Sequence, residues 1–427
     1  MGKKISLGAA IAFMTIVAAV TFSMTMVYSM RTFNDKVYSI KERERMYSKI
    51  AEIDGIARQN FIGTIEETDL MDSTAAGFLT GIGDAYAQYY DAASYAKMLE
   101  NFGGKSVQIG IVTKMDESGY IKVTEVYPDS PAQAAGIEPD NLIVKIDETD
   151  VTKDNFDEAV NMLKGEAGTK MTIIVRKGVE DVPLEMTRRF VEIPSVSSSM
   201  LDQQIGLIKI KEFNDNTPEQ FSKQTDKLIG EGAQALILDV RGVNTGTLRS
   251  VAQSLDKLLP EGVLVYSTDK SGNKTVVEKS DAREVKLPMA VLVNEKTSGE
   301  AELFAQDIRD YSKGKVVGAK TAGKGTMQTI FPLTDGSAIK LTTARYTPKT
   351  SPSFDGEGVK PDYEVKLTED QVALAALGGV ENDPQLKKAF EVAIAGIKSA
   401  AAGAEQQTQT SSGSSSSTVA PSQEASR

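Results

Sequence analysis

An uncharged apolar run at the N-terminus constrains this chain more than any other feature. The residues from Ile5 to Met30, ISLGAAIAFMTIVAAVTFSMTMVYSM, include no Asp, Glu, Lys or Arg. As an α-helix rising ~1.5 Å per residue, this run exceeds the ~30 Å hydrocarbon core of a bilayer. A cleaved signal peptide has a shorter apolar region and a small-residue cleavage site, which Ala18 and Ala19 match only weakly. The pattern favours an uncleaved transmembrane signal anchor over residues 5–30.

The flanking charges bear on which side of the membrane the rest of the chain occupies. Lys3 and Lys4 precede the run, and more basic residues follow it, so the distribution of basic residues does not decide the orientation. The long folded region downstream argues for the outside. We therefore expect a single-pass membrane protein with a cytoplasmic start over residues 1–4 and most of its chain on the extracytoplasmic side.

Helical patterning after the anchor gives way to short strands. Residues 31–103 are rich in Glu, Lys and Ala and are predicted to form a helical N-terminal region. Beyond them, VQIGIVTKM and YIKVTEVYP have strand composition, and the DESG between them indicates a hairpin. Ser130 is a typical N-cap, Pro131 follows at the first helical position, and Gly136 closes a short helix.

The strands and helices of residues 104–190 resemble a PDZ domain. The specific matches are DSPAQAAGIEPDNLIVKID and GEAGTKMTIIVRKG. The resemblance implies that C-terminal residues of a partner pair with an exposed strand edge and that backbone N–H groups hold their carboxylate. In this sequence the corresponding loop is Gln108, Ile109, Gly110 and Ile111. A small β domain without a ligand is the alternative.

From residue 191 to 397 the sequence alternates apolar strands with amphipathic helices, which predicts an α/β domain. IGLIKIKEF and QALILDVRG are strands on either side of a helix, and MAVLVNEKTSG is a strand that leads into another helix. Asp383 and Pro384 form the start of the last helix. Residues 398–427 are rich in Ser, Gln and Thr and predict a disordered tail. The predicted fold class is therefore an α/β multidomain protein.

The residue types that are missing exclude several chemistries. The chain has no His and no Cys, so a Ser-His-Asp triad, a Cys-His dyad and a histidine-bearing zinc site are excluded. A nucleophilic hydrolase built from these residues needs a lysine or a carboxylate as its base. With 48 basic against 59 acidic residues and no basic stripe, nucleic acid is not an expected partner. Nothing in the sequence predicts a cofactor or a metal.

Three further segments resemble the C-terminal processing peptidases, which are membrane-anchored or secreted serine endopeptidases. They are DLMDSTAAGFLTGIGDAYAQYYD, GAKTAGKGTMQTIFPLTDGSAIKLTTARYTP and FDGEGVKPDYEV, and the resemblance covers roughly residues 65–397. It implies a peptidase core over residues 191–397. In that family a lysine takes the proton of a serine nucleophile, and a glutamine orients the lysine. The resemblance assigns these two roles to Lys324 and Gln328.

The nucleophile position departs from the family pattern. The reactive middle serine of the family's S-A-S-A-S-E turn falls on Gly299, 25 positions before Lys324, and Glu302 falls on the motif's glutamate. Ser298 is one residue early and could meet the lysine only if the turn were rebuilt, since nucleophile and base must approach within ~2.6–3.2 Å. The alternative role of Ser298 is the N-cap of a helix that starts near Glu300.

A second departure concerns the oxyanion hole. The family's Asn-Pro-Gly-Gly turn donates a backbone N–H, and LDVRGVNTGTL has Asn244, Thr245 and Gly246 where Pro-Gly-Gly would fall. The resemblance thus implies oxyanion donors at Thr245, Gly246 and Gly299. Threonine tolerates positive φ poorly, so an altered turn is expected.

Two functions stay open at this point. The first is a membrane-anchored serine endopeptidase that captures unstructured or C-terminal protein segments with its PDZ domain and cleaves them with Ser298 and Lys324. The second is a pseudopeptidase that keeps the fold and binds peptides or regulates outside the membrane. The helical N-terminal region also leaves a homodimer open.

Overall fold

A computed structural model describes residues 7–281 and 283–413. The chain divides into two compact units, one up to Gly77 and one from Phe78 onward. The predicted cytoplasmic start, the first two residues of the predicted anchor and residues 414–427 of the predicted tail lie outside the described residues.

The first unit is helical. Helix α1 (Leu7–Asn60) includes most of the predicted anchor, and α2 (Glu67–Gly81) begins in this unit. Arg58 of α1 joins the two helices by a hydrogen bond to Glu67 (2.6 Å) and also bonds Asp54 within α1 (2.7 Å). Over the described part of the chain, no helix combines the length and apolar character needed to cross a bilayer. The membrane anchor therefore stays a prediction.

The second unit begins with a small antiparallel β domain. Its sheet has the strand order β3-β4-β5-β7-β8, with β6 beside β5, while β2 pairs with β9. The isoleucines Ile109, Ile121, Ile143 and Ile173 are fully buried in its core. The elements of this region, with β1 and α3 ahead of the domain, are β1 (Gln88–Tyr90), α3 (Ala92–Gly103), β2 (Lys105–Gln108), β3 (Ile111–Met115), β4 (Ile121–Val126), α4 (Pro131–Ala134), β5 (Leu142–Ile146), β6 (Thr149–Asp150), α5 (Phe156–Met162), β7 (Lys170–Lys177), β8 (Glu180–Thr187) and β9 (Arg189–Glu192).

The predicted short helix of this domain is confirmed by its caps. Ser130 Oγ accepts a hydrogen bond from the N–H of Gln133 at 3.1 Å, and Pro131 follows at the first helical position. Gly136 adopts a φ of +74°, a left-handed conformation that glycine adopts at little cost.

The remaining elements form the α/β core. They are β10 (Val196–Leu201), a 3₁₀ turn (Asp202–Gln204), β11 (Ile205–Ile210), α6 (Thr217–Gly230), β12 (Ala235–Asp239), α7 (Leu248–Asp256), β13 (Gly262–Asp269), β14 (Lys274–Ser280), β15 (Met289–Val293), α8 (Glu300–Asp310), β16 (Gly314–Gly318), β17 (Thr326–Pro332), β18 (Ala338–Pro348), β19 (Tyr363–Glu364), α9 (Glu369–Ala375) and α10 (Pro384–Gly413).

The central sheet has the order β10-β11-β12-β15-β16-β19, parallel except for β10. Strands β12 and β15 are buried along their whole length, because α6, α7 and α8 cover one face and α10 covers the other. In a parallel sheet the carboxyl ends of neighbouring strands meet at one edge, where ligand sites form. The loops after β12 and β15, which carry the residues of interest, therefore lie side by side.

A second sheet has the order β1-β18-β13-β14, with β17 beside β18. Strand β1 lies in residues 31–103, where we predicted helix, and pairs with β18 in the register Gln88↔Lys340. The prediction of helix was wrong for residues 88–90. A strand of three residues is too short to show an alternating pattern, and β1 is stabilised by pairing with β18, which is distant in sequence.

The last helix begins as predicted and ends later. Asp383 Oδ1 caps it by accepting from the N–H groups of Gln385 (3.0 Å) and Leu386 (3.1 Å). Helix α10 then continues to Gly413, so residues 398–413, predicted to belong to a disordered tail, are helical.

Candidate active site

Predicted site residues from separate parts of the core line a cleft of 680 Å³. Thr245 and Gly246 come from the loop after β12, Glu300 begins α8, and Lys324 lies in the loop two residues before β17, which contributes Gln328. The fold thus brings together the predicted base, its glutamine and two of the predicted oxyanion residues.

The turn between β15 and α8 is fastened to the neighbouring loop. Thr297 is fully buried, and its hydroxyl donates to the carbonyl of Val240 at 3.0 Å. The N–H of Ser298 donates to the carbonyl of Val243 at 2.9 Å. The next residue, Gly299, adopts φ +68° and ψ −122°, and α8 starts at Glu300 as expected. The N-cap of α8 is Gly299, so the role of N-cap that we weighed for Ser298 is wrong.

Position 299 faces the lysine. A Cβ atom built on Gly299 would lie 3.7 Å from Lys324 Cδ, an ordinary van der Waals contact, with no other atom outside the turn within 4 Å. A serine hydroxyl is one bond beyond Cβ and the amine is two bonds beyond Cδ. A serine here could therefore come within hydrogen-bond reach of the lysine. Glycine supplies no such hydroxyl.

A buried carboxylate connects this turn to the lysine loop. Glu302 is 0% exposed and accepts hydrogen bonds from the N–H groups of Gly299 (2.9 Å), Gly323 (2.7 Å) and Lys324 (2.8 Å), and from the hydroxyl of Thr321. The N–H of Gly299 is therefore hydrogen-bonded to Glu302, and its role as an oxyanion donor stays a prediction. Sequence reasoning matched Glu302 to the motif but assigned it no role.

Lys324 lies half-buried between charges of both signs. Burial lowers the pKa of Lys324, while the carboxylate of Glu300 opposes that change, and Lys340 adds to it. The amine lies 4.9 Å from the ring centroid of Tyr86, a contact that the sequence did not signal. A lysine with a lowered pKa is the kind of group that can act as a base near neutral pH.

The glycines beside Lys324 have a packing role. A Cβ on Gly323 would lie 2.8 Å from the N of Gly358, and one on Gly325 would lie 2.5 Å from the N of Asp355. Only glycine lets the two backbones approach this closely. The GKG turn therefore packs closely against the distant FDGEG segment.

Gln328 lines the cleft, but its amide donates elsewhere than predicted. Its Nε2 donates to Thr326 Oγ1 (2.9 Å), to the Thr326 carbonyl (3.2 Å) and to Thr342 Oγ1 (3.4 Å). Among the described residues, no hydrogen bond joins Gln328 to Lys324.

The remaining predicted site residues are Ser298, Thr245 and Gly246, and they differ in whether they line the cleft. Ser298 is half-buried and is not one of the residues that line the cleft. Thr245 and Gly246 line it, and neither adopts positive φ, so the altered turn avoids the conformation that threonine disfavours. The carbonyl of Thr245 accepts from the N–H of Phe213 at 3.2 Å.

The predicted peptide-binding loop lies in the small β domain. Gln108 and Ile109 are buried, and Gly110 has a φ of +84° that lets it pack against Ser130, where a Cβ would lie 2.3 Å from the serine Cβ. The loop leads into Ile111 and β3, which is an edge strand of its sheet. None of the four loop residues lines the cleft. Within the described residues, no cluster of acidic side chains could hold a metal.

The fold is that of a PDZ domain followed by an α/β core with a cleft at the carboxyl ends of its parallel strands. Residues 122–177 match the model of the PDZ domain, and residues 204–365 match that of peptidase family S41. The carboxy-terminal processing protease CtpA of Bacillus subtilis (strain 168) is 30% identical over 360 residues, which cover 83% of this chain and 77% of that protein. The chain belongs to the C-terminal processing peptidases, in peptidase family S41.

This chain is also similar to a second curated relative and to one solved structure. A probable CtpA-like serine protease of Staphylococcus epidermidis (strain ATCC 35984) is 27% identical over 351 residues, covering 81% of this chain and 70% of the relative. The solved structure of a photosystem II D1 C-terminal processing protease is 23% identical with a TM-score of 0.43, covering 72% of this chain and 84% of that one.

Proposed function

We propose that this chain binds unstructured or C-terminal segments of proteins and does not cleave them. One observation carries the proposal: the residue whose side chain would face Lys324 is Gly299, so the position from which a hydroxyl would attack has no side chain. The cleft, Lys324 and the PDZ domain are retained, which supports a binding function. The chain would then act as a pseudopeptidase.

A second candidate is a peptidase that uses Ser298. It is favoured by the adjacent position of this half-buried serine, whose hydroxyl has no hydrogen-bond partner within the described residues. The named relatives are proteases, which also supports it. Its weakness is that Ser298 would have to turn toward a lysine that residue 299 faces.

The location of the protein is part of the proposal. The uncharged run over residues 5–30 supports a single-pass anchor with the PDZ domain and core on the extracytoplasmic side. A homodimer through the N-terminal helical region is proposed with it, since α1 has exposed apolar side chains such as Ile40, Tyr47 and Ile50.

The decisive experiment restores the missing hydroxyl. The full chain is incubated with a disordered protein and cleavage is followed by mass spectrometry, for the parent, Gly299→Ser and Gly299→Ser combined with Lys324→Ala. We expect an inert parent, an active Gly299→Ser variant and an inert double variant, because the new hydroxyl needs Lys324 as its base. The gain should exceed tenfold over background.

The matched control is Ser298→Ala, made in the parent and in the Gly299→Ser variant. We expect it to change neither. A parent that cleaves the substrate, and loses that activity in both Ser298→Ala and Lys324→Ala, would establish the second candidate and overturn the first.

A further inference from the structure

The residue directly after Gly299 carries a charge that the S-A-S-A-S-E pattern does not have. With the middle serine of that pattern at Gly299 and its glutamate at Glu302, position 300 falls on an alanine, and this chain has Glu300 there. Glu300 is the first residue of α8 and lines the same cleft as Lys324. The change therefore adds a carboxylate to the cleft that contains the lysine.

A buried tyrosine holds the carboxylate of Glu300 in place. Tyr346 of β18 is 1% exposed, and its hydroxyl donates to Glu300 Oε1 at 3.0 Å. Burial raises the pKa of Tyr346 well above its usual value, and the charge of Glu300 adds to that change. Tyr346 therefore keeps its proton as the pH rises past neutrality, and its hydroxyl continues to fix the carboxylate.

The amine of Lys324 is also restrained, and several charges act on it. Its Nζ lies 4.9 Å from the ring centroid of Tyr86. Burial lowers the pKa of Lys324, and the carboxylate of Glu300 opposes that change as the largest effect of a charged neighbour. Lys340 of β18 adds to the lowering, and the buried Glu302 opposes it to a smaller degree.

The two side chains face a half-buried cleft, where water screens charges less than it does on an open surface. A carboxylate that faces an amine across such a cleft stabilises the protonated form of the amine. We propose that Glu300 sets the pH range in which Lys324 can accept a proton, and that it keeps the lysine cationic to higher pH than burial alone would allow. This inference rests on the proposed function, in which Lys324 would be the base for a hydroxyl restored at position 299.

Gly299 and Glu300 would then act on the two sides of one proton transfer. Gly299 supplies no hydroxyl to give up a proton, and Glu300 favours the form of Lys324 that already holds one. Glu300 acts through the lysine and is therefore a positioning residue. A chain restored only at position 299 should work better at alkaline pH than at neutral pH.

The first test measures the protonation of Lys324 without requiring any cleavage. The full chain is treated with a trace of acetic anhydride, which acylates neutral amines, at intervals from about pH 6 to 10. Acetylation of Lys324 is measured by mass spectrometry relative to the exposed Lys270. The samples are the parent, Glu300→Gln, Glu300→Asp and Glu295→Gln. Glu295 is the matched control, because it is an exposed glutamate of the turn before α8 and does not line the cleft.

We expect Glu300→Gln to raise the acetylation of Lys324 at pH 7 at least about threefold, because loss of the carboxylate favours the neutral amine. Glu300→Asp keeps the charge and should stay closer to the parent, and Glu295→Gln should match the parent. The differences should shrink toward pH 10, where the amine is increasingly neutral in every variant. Equal acetylation of the parent and Glu300→Gln at pH 7 would overturn the inference. A rise that persists undiminished at pH 10 would also overturn it, because it would reflect access of the reagent and not protonation.

The second test uses the restored hydroxyl. Cleavage of the disordered protein is compared between pH 6 and 10 for Gly299→Ser alone and for Gly299→Ser combined with Glu300→Gln. We expect the combined variant to cleave at least about threefold faster at pH 7, with the two rates converging at alkaline pH. Identical pH profiles would overturn the role of Glu300 and leave the proposed function intact. No cleavage by either variant, with the acetylation difference present, would count against the proposed function alone.

Discussion

The backbone conformation of Gly299 bears on both stability and the chemistry that this position could support. Its φ of +68° with ψ −122° is accessible to glycine and costs other residues about 1–3 kcal/mol. Turns between a strand and a helix that hold a nucleophile store this kind of strain to expose the reactive side chain. With glycine at the position, the turn keeps its shape while the strain is relieved.

The strain predicts a stability cost for the restored serine. Gly299→Ser should lower the free energy of unfolding by about 1–2 kcal/mol, measured by urea denaturation. Gly272→Ser is the matched control, because Gly272 has a φ of +81° and open space around it but lies in the β13–β14 hairpin. It should lose similar stability and gain no activity. An unchanged stability of Gly299→Ser would show that the turn relaxes.

Asp307 of α8 predicts that the stability of the fold depends on pH. Both carboxylate oxygens of Asp307 are buried without a hydrogen-bond partner among the described residues. Burial raises the pKa of Asp307 well above its usual value, with Asp310 adding to it and Lys349 opposing it. Asp307 therefore keeps its proton in the folded protein over a pH range in which the unfolded chain releases it.

The direction of the pH dependence follows from the difference in protonation of Asp307 between the folded and unfolded states. At Asp307 the folded state binds more protons than the unfolded state above pH ~4, so the contribution of this group to stability falls as pH rises toward its folded-state pKa. Asp307→Asn should flatten this fall and raise the free energy of unfolding at pH 8 by more than about 1 kcal/mol, measured by denaturation from pH 4 to 8. Asp215→Asn, at an exposed carboxylate, is the control. A steep fall that persists in Asp307→Asn would contradict the assignment.

At the scale of elements, a single acidic side chain holds the segment that covers Lys324. Asp84 accepts hydrogen bonds from the Thr342 N–H (2.8 Å) and hydroxyl (3.0 Å) of β18 and from the N–H of Tyr86 (3.0 Å). Tyr86 is the ring above the lysine amine, and β1 follows directly. Asp84 thus connects Tyr86, which lies over Lys324, to strand β18 of the second sheet.

Asp84→Ala should release this cover. Losing three hydrogen bonds should lower the free energy of unfolding by about 2–3 kcal/mol and speed hydrogen exchange at residues 86–90. Asp91→Ala is the matched control, since the Asp91 carboxylate caps α3 by accepting from the Ser94 N–H (2.8 Å). It should cost about 1 kcal/mol and leave β1 protected. Equal exchange of β1 in both variants would contradict the role of Asp84.

Sequence patterns predicted elements where the signal is local. The Ser130 cap, the start of α8 and the buried strands β12 and β15 follow from nearby residue types. Strand β1 was missed because its stability comes from β18. The contacts of Glu302 and of the Gln328 amide were missed because they form between segments that are distant in sequence or depend on exact side-chain geometry. A single sequence does not specify how such segments are placed relative to one another.

At the scale of the whole molecule, the PDZ domain and the core belong to one compact unit. Lys211 and Glu125 join them by an ion pair of 3.1 Å, but both side chains are about half exposed. Such surface pairs contribute about 0–1 kcal/mol, so this contact fixes the two domains only weakly. The order of domains was readable from composition and motifs, whereas their contacts were not.

Glu302 has a consequence beyond stability. Its buried carboxylate binds the turn at residue 299 and the loop at Lys324 together, so folding alone preserves the geometry of the site whether or not any reaction occurs there. A glycine codon can become a serine codon through a single base change. Under the proposed function, a change of residue 299 from glycine to serine would place a hydroxyl beside Lys324 in a site whose geometry folding has kept.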